Sequence, residues 1–72
     1  MIFIIGCGGF AKEVLFLLEE VKGSLTGFKG FIDYNPEKNK ISCRGSEFNV
    51  IDEDDFLNSN YKKDDIELYI GI

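Results

Sequence analysis

Short apolar runs alternate with helical and polar segments along the first half of the chain. Residues 2–5 are wholly apolar and rich in isoleucine, which is typical of a parallel strand buried on both faces. After a glycine-rich turn, residues 10–22 carry apolar side chains at spacings of three and four, which predicts an amphipathic helix ended by Gly23. The predicted core face of that helix consists of Phe10, Val14, Leu17, Leu18 and Val21.

The second half of the chain predicts two more strands and a short helix. Residues 28–34 predict a strand that Asn35-Pro36 ends, and residues 66–72 predict a final strand. Asp52 is a candidate N-cap for a short acidic helix that runs to about residue 58. In the first of these strands, Phe28, Gly30 and Ile32 are predicted on one face, and Lys29, Phe31 and Asp33 on the other.

The polar segment 37–49 gives no clear assignment, although residues 41–43 suit a short extended piece. The predicted order is therefore strand, helix, strand, irregular link, short helix, strand. Such alternation is typical of a parallel sheet with crossover helices. We predict a small Rossmann-like β-α-β-α-β domain of three layers, formed by residues 1–72 as a single unit. Because the chain stops at an apolar strand, we expect it to be part of a longer protein.

One aromatic residue departs from the helical pattern. Phe16 falls among charged residues on a helical wheel, which indicates either contact with another domain or subunit, or a singly exposed apolar side chain.

Composition narrows the function classes. The formal net charge is −5 and the basic residues are scattered, which argues against nucleic acid as a partner. No stretch is long and apolar enough to predict a membrane span. The chain has two cysteines and no histidine, which argues against a disulfide framework and a zinc site and favours free thiols in the cytoplasm. No set of residues is predicted to be catalytic or to bind a metal.

The glycine-rich turn carries the main chemical signal. The motif Gly6-x-Gly8-Gly9-Phe10-Ala11 follows a predicted strand and opens a predicted helix. Gly6 allows the turn, Gly8 and Gly9 let a ligand approach the backbone, and Ala11 permits close packing. The N–H groups and the dipole of a helix start favour an anion, so we predict a phosphate-binding loop. The alternative is a glycine turn that only connects a strand to a helix.

Two further side chains lie near this predicted loop. Asp33 ends the second predicted strand, where an acid accepts ribose hydroxyls in dinucleotide folds; the alternative is a turn aspartate. Cys7 stands at a helix start, where a thiolate is favoured, but the chain offers no base nearby, so a structural role is the stronger prediction.

These residues together resemble a known family. The segment from Gly6 to Val14, joined to Gly30-Phe31-Ile32-Asp33 and to the closing Tyr69-Ile70-Gly71-Ile72, resembles the N-terminal domain of the NeuD/PglD family of sugar O- and N-acetyltransferases. The resemblance covers essentially the whole chain. Family members often carry a second acid after the one that matches Asp33, where this chain has Tyr34.

The resemblance implies a role in sialic acid or bacillosamine-type glycan biosynthesis. In that family this domain binds the UDP-sugar acceptor, while a C-terminal hexapeptide-repeat domain binds acetyl-CoA, forms the trimer and supplies a catalytic histidine. Both that domain and the histidine are absent here, so this segment alone is expected to be non-catalytic. The candidate substrate-binding residues are Gly6, Gly8, Gly9, Phe10, Ala11, Asp33 and Tyr34. Two alternatives stay open: the first half of an NAD(P)-binding Rossmann domain, and a non-catalytic interaction module.

Overall fold

A computed structural model describes residues 1–72 and shows two helices packed on one five-stranded sheet. A single 3₁₀ turn, Lys63–Asp65, precedes the last strand. In chain order the elements are β1 (Ile2–Ile5), α1 (Gly9–Lys22), β2 (Phe28–Asp33), β3 (Lys40–Cys43), β4 (Ser46–Asp52), α2 (Glu53–Leu57) and β5 (Glu67–Ile70).

The sheet has the strand order β3-β4-β2-β1-β5. Strands β4, β2, β1 and β5 are parallel, and only β3 runs antiparallel, paired with β4. The α/β class and the largely parallel sheet that the sequence predicts are therefore confirmed. The apolar run of β1 occupies an interior position because both of its edges are paired, with β2 and with β5.

The two helices lie on opposite faces of the sheet. Ile4 belongs to the same buried cluster as Ala11 of α1, whereas the ring of Phe3 packs against Phe56 of α2 with centroids 4.9 Å apart. Successive side chains of a strand point to opposite faces, so α1 and α2 must cover different sides. The predicted three-layer arrangement follows from this packing.

The predicted core face of α1 is only partly right: Leu18 is buried and Val14 packs against the core, whereas Phe10, Leu17 and Val21 are exposed. The side chains of α1 that are buried are Ala11, Leu15 and Leu18, while Leu17 is 60% exposed and Val21 is 82% exposed. An apolar run such as 14–18 offers more than one apolar stripe, so spacing alone does not choose between them. The structure selects the stripe that begins with Ala11 because a small residue is needed where the helix start meets the chain after β5.

The predicted faces of β2 are also wrong at its first residue. Phe28 lies on the same side as Phe31, with ring centroids 5.3 Å apart. The pairing of β1 with β2 shifts register between Ile2 and Phe3, so one extra residue of β2 is accommodated there. Such an irregularity moves every side chain before it to the other face of the sheet.

The segment left unassigned by the sequence contains a β-hairpin. Arg44 and Gly45 join β3 to β4 with positive φ angles of 53° and 82°, as a type I′ turn requires. Arg-Gly is not one of the strong sequence signals for this turn, which explains why the pattern gave no assignment. The short extended piece predicted at residues 41–43 is part of β3, and the hairpin buries Cys43 at its end.

Candidate functional site

The carboxyl ends of the parallel strands meet at one edge of the sheet. Gly6 follows β1, Asp33 ends β2, Asp52 ends β4 and Gly71 follows β5. The chain proceeds from β1 to β2 and β4 on one side and returns to the other side of β1 as β5. In open α/β sheets, ligands bind beside the carboxyl ends of the strands at such a reversal.

Two of the glycines at this edge are required by packing. Gly6 has a φ of 105°, and a Cβ atom there would lie 2.8 Å from the carbonyl oxygen of Gly71. A Cβ atom on Gly71 would lie 2.8 Å from the Cα atom of Ala11. The Gly6 N–H already donates to the carbonyl of Ile32 at 2.7 Å. Gly6 is therefore part of the packed junction, and its amide is not free for a ligand.

The next two glycines have no such packing role. Ideal Cβ atoms on Gly8 and Gly9 would meet nothing within 4 Å, and neither residue has a positive φ. Gly8 is the N-cap of α1 and supplies no side-chain bond to the helix start. The backbone N–H groups of Gly9, Phe10 and Ala11 donate to no acceptor within the chain. The N-terminus of α1 is thus open to a hydrogen-bond acceptor supplied by a ligand.

The predicted acid lies at the same edge, next to the glycine loop. Asp33 Oδ2 accepts a hydrogen bond from Cys7 Sγ at 2.8 Å, and Asp33 Oδ1 accepts from the backbone N–H of Tyr34 at 2.8 Å. Asp33 is half-buried, so the carboxylate keeps contact with solvent. Cys7 directly precedes Gly8, so its hydrogen bond to Asp33 holds the acid next to the helix start with the open amides.

A cleft of about 350 Å³ opens between the end of β1 and the turn after β2. Its walls combine the thiol and the acid with the polar turn that follows, including the basic side chain of Lys38. The lining residues are Cys7, Asp33, Tyr34, Asn35, Pro36, Glu37, Lys38 and Ile41. The sequence did not single out the turn residues 35–38, because nothing in their order indicates that they fold back over Asp33.

The predicted site residues fall into two groups. Gly8, Gly9 and Phe10 are exposed at the start of α1, and Asp33 and Tyr34 line the adjoining cleft. Gly6 and Ala11 are buried below this surface. Ala11 is fully buried, backbone included, so the residues whose unpaired N–H groups lie at the surface of the helix start are Gly9 and Phe10.

A second acid supports the turn that covers the cleft. Asp52 caps α2, as predicted, by accepting from the N–H of Asp54 at 3.2 Å. Its other oxygen accepts from the N–H of Asn35 at 2.8 Å, a contact that the sequence did not indicate. Asp33 and Asp52 are paired in register on neighbouring strands, and Asp33 lines the cleft while Asp52 holds the backbone of its wall at Asn35.

The thiolate alternative for Cys7 is wrong. The hydrogen bond to the Asp33 carboxylate, followed by burial and by the negative charge of Asp33, raises the pKa of Cys7 from 9.0 to about 11. The positive charge of Lys12 acts in the opposite direction and is the smaller effect. Cys7 is therefore a protonated hydrogen-bond donor at neutral pH, not a nucleophile.

Phe16 has a partner within the chain. The Arg44 guanidinium lies 3.2 Å from the centroid of the Phe16 ring, and Arg44 Nη1 lies 3.9 Å from Glu19 Oε1. A second cleft, of about 310 Å³, lies between α1 and the β3–β4 hairpin and includes this stacked pair. The departure of Phe16 from the helical pattern is accounted for by this contact between α1 and the hairpin.

No helix of the structure has both the length and the apolar character of a membrane-spanning segment. No group of three or more cysteine and carboxylate side chains is placed to hold a metal ion.

A comparison with curated proteins and one with solved structures gave no match. The family model of the PglD N-terminal domain, in contrast, matches residues 1–72. The match spans every element described above, from β1 and the open helix start to β5, and the chain therefore belongs to the PglD N-terminal domain family.

Proposed function

We propose that this domain binds the nucleotide-sugar acceptor of a PglD-type acetyltransferase, with a UDP-sugar as the ligand. The observation that carries the proposal is the open start of α1, where the N–H groups of the exposed residues Gly9 and Phe10 lack an acceptor and two glycines leave their surroundings clear. Membership of the PglD N-terminal domain family supports the same role.

The two parts of the site suit two parts of such a ligand. The amides at the exposed residues Gly9 and Phe10, with the positive end of the helix dipole, favour the pyrophosphate. The Asp33 carboxylate, which borders the adjoining cleft, accepts hydrogen bonds from the ribose hydroxyls. Tyr34 and the turn that follows it extend the cleft wall for the base, and Phe10 is exposed beside the amides on the sugar side.

The rest of the reaction belongs to a longer protein in this proposal. Acetyl-CoA is the expected acyl donor, bound outside residues 1–72, and a homotrimer is the expected assembly. The proposed setting is glycan biosynthesis of the sialic acid or bacillosamine type, in the cytoplasm. None of the residues described here is assigned a step in acetyl transfer.

Thermal unfolding with candidate ligands tests the binding role. A UDP-sugar at about 100 times its Kd stabilises the fold by roughly 2.7 kcal/mol, which is a measurable rise in Tm for so small a domain. The panel contains UDP-glucose, UDP-N-acetylglucosamine, UDP alone and NAD. We expect the UDP compounds to raise the Tm and NAD to leave it unchanged. A rise with NAD and none with any UDP compound supports the dinucleotide alternative and refutes the proposal.

A further inference from the structure

The inner wall of the cleft holds the Asp33 carboxylate from two sides. Cys7 Sγ lies 2.8 Å from Oδ2, and the Tyr34 backbone nitrogen lies 2.8 Å from Oδ1. The two donors come from different segments, one from the loop after β1 and the other from the residue that follows β2. One hydrogen bond to each oxygen fixes the rotation of the carboxylate plane, which a single bond leaves free.

The internal bonds use only part of the acceptor capacity of the carboxylate. An ionised carboxylate offers about four lone-pair positions, two on each oxygen. With one donor from the chain on each oxygen, one position on each oxygen is left for a ligand. Two acceptor positions on a carboxylate of fixed orientation match the two adjacent hydroxyls of a ribose.

We propose that Cys7 is a positioning residue whose S–H group orients Asp33 for bidentate acceptance of a ribose diol. The inference deepens the proposed function and rests on it. Cys7 is also the residue before the open glycine pair, so the same loop sets the orientation of the acid and the position of the amides. A change at Cys7 is therefore expected to alter recognition of the ribose through the orientation of Asp33.

Removal of the donor tests the proposal. Cys7→Ala and Cys7→Val both remove the S–H group, and Cys7→Val also fills the volume of the thiol. Cys7→Ser is the matched control because it keeps a hydrogen-bond donor at the same place. Calorimetric titration gives the Kd of each protein for UDP and for 2′,3′-dideoxy-UDP, which lacks both ribose hydroxyls.

The ratio of the two Kd values is the readout, because a general structural defect weakens both nucleotides alike. We expect the two donor-free variants to bind UDP on the order of 5-fold more weakly, the effect of one lost hydrogen bond. Their Kd for dideoxy-UDP is expected to stay unchanged. Cys7→Ser is expected to keep the wild-type ratio, and Asp33→Asn to lose it in the presence or absence of Cys7.

Two outcomes overturn the inference in distinguishable ways. If the wild-type protein binds UDP and the donor-free variants keep its preference for UDP over dideoxy-UDP, Cys7 does not position Asp33, while the proposed function stands. If the wild-type protein binds neither nucleotide, the proposed function is refuted and the role of Cys7 with it.

Discussion

The loop between β1 and α1 contains two kinds of glycine. Gly6, together with Gly71 after β5, lies where a Cβ atom would come within 2.8 Å of the backbone of another segment. Gly8 and Gly9 lie a few residues further along the same loop, and a Cβ atom on either would meet nothing within 4 Å. Packing thus requires glycine at the first pair and does not require it at Gly8 or Gly9.

Within this one motif, the packed glycine Gly6 serves stability, whereas the open glycines Gly8 and Gly9 are candidates for a role in binding. A glycine that packing requires indicates close contact between segments, which any fold of this type needs. A glycine in open space and with an ordinary φ is not required by the backbone, and at Gly9, the first residue of α1, it is unfavourable relative to alanine. The open pair is therefore the part of the motif that points to a ligand.

Alanine at a packed glycine is expected to have the largest effect. In Gly71→Ala the new methyl group must displace Ala11 and Ile4. In Gly6→Ala the methyl group clashes with the carbonyl of Gly71, and alanine is also strained by the positive φ at this position. We expect each change to lower the free energy of unfolding by about 2–4 kcal/mol. Chemical denaturation monitored by circular dichroism measures this loss. Wild-type stability in both variants contradicts the packed contact between β5 and the glycine loop.

Gly9→Ala is expected to have the opposite profile and is the matched control. A methyl group in open space at the first turn of α1 leaves stability unchanged or raises it by up to about 1 kcal/mol. The same methyl group stands beside the open amides, so the Kd for UDP is expected to rise about 10-fold. Denaturation and calorimetric titration of the same sample measure the two effects. Unchanged affinity for UDP argues that the amides do not bind the ligand.

Phe16→Leu tests the cleft between α1 and the β3–β4 hairpin. Here we expect a loss of stability with no change in binding, the reverse of the result expected for Gly9→Ala. Leucine keeps an apolar side chain but removes the ring face on which Arg44 lies. We expect a loss of about 0.5–1 kcal/mol in the free energy of unfolding, typical of an exposed cation–π pair. Affinity for UDP is expected to stay at the wild-type value, and a clear decrease contradicts the separation of the two clefts.

A pH series gives the smallest and most specific effect. The pKa of Cys7 is raised from 9.0 to about 11 in the folded protein, so folding favours the protonated thiol. This contribution to stability is fully present below about pH 9 and is lost as the pH rises through about 11. Wild-type stability should therefore fall more steeply over this range than that of Cys7→Ser.

The Cys7→Ser control also removes a competing explanation of the pH series. The hydrogen bond to Glu67 raises the pKa of Tyr69, which titrates in the alkaline range as well. That effect is common to both proteins and cancels in the difference between them. Parallel pH profiles of the wild type and the variant show that the thiol and the Asp33 carboxylate are not coupled.

Local sequence signals predicted the start of this fold well. β1 is found at the predicted residues, α1 begins one residue earlier than predicted, and Gly23 ends the helix with a left-handed backbone. Asp52 caps α2, and Asp33 is the last residue of β2. These features depend on residues close in sequence, such as caps, glycines and a continuous apolar run. They can therefore be predicted without knowledge of the tertiary structure.

Features that depend on distant segments were not predictable in the same way. The buried face of α1 was chosen by contact of Ala11 with Gly71, and the face of Phe28 by the register of β2 against β1. The hairpin at Arg44-Gly45 is fixed by pairing of β3 with β4 rather than by a strong turn sequence. The hydrogen bond between Cys7 and Asp33 joins residues that are 26 positions apart.

The amino-acid sequence by itself determined β1, α1, β2, the short helix α2 and the last strand, together with the glycine-rich start of α1 and the acid at the end of β2, but not the β3–β4 hairpin. Those properties follow from backbone preferences and from apolar spacing over a few residues. Tertiary structure decided which glycines are packed and which are open, and it decided that Cys7 remains protonated beside Asp33. Space around an atom and the charge of its neighbours are set by segments that meet only after folding, so no local pattern contains them.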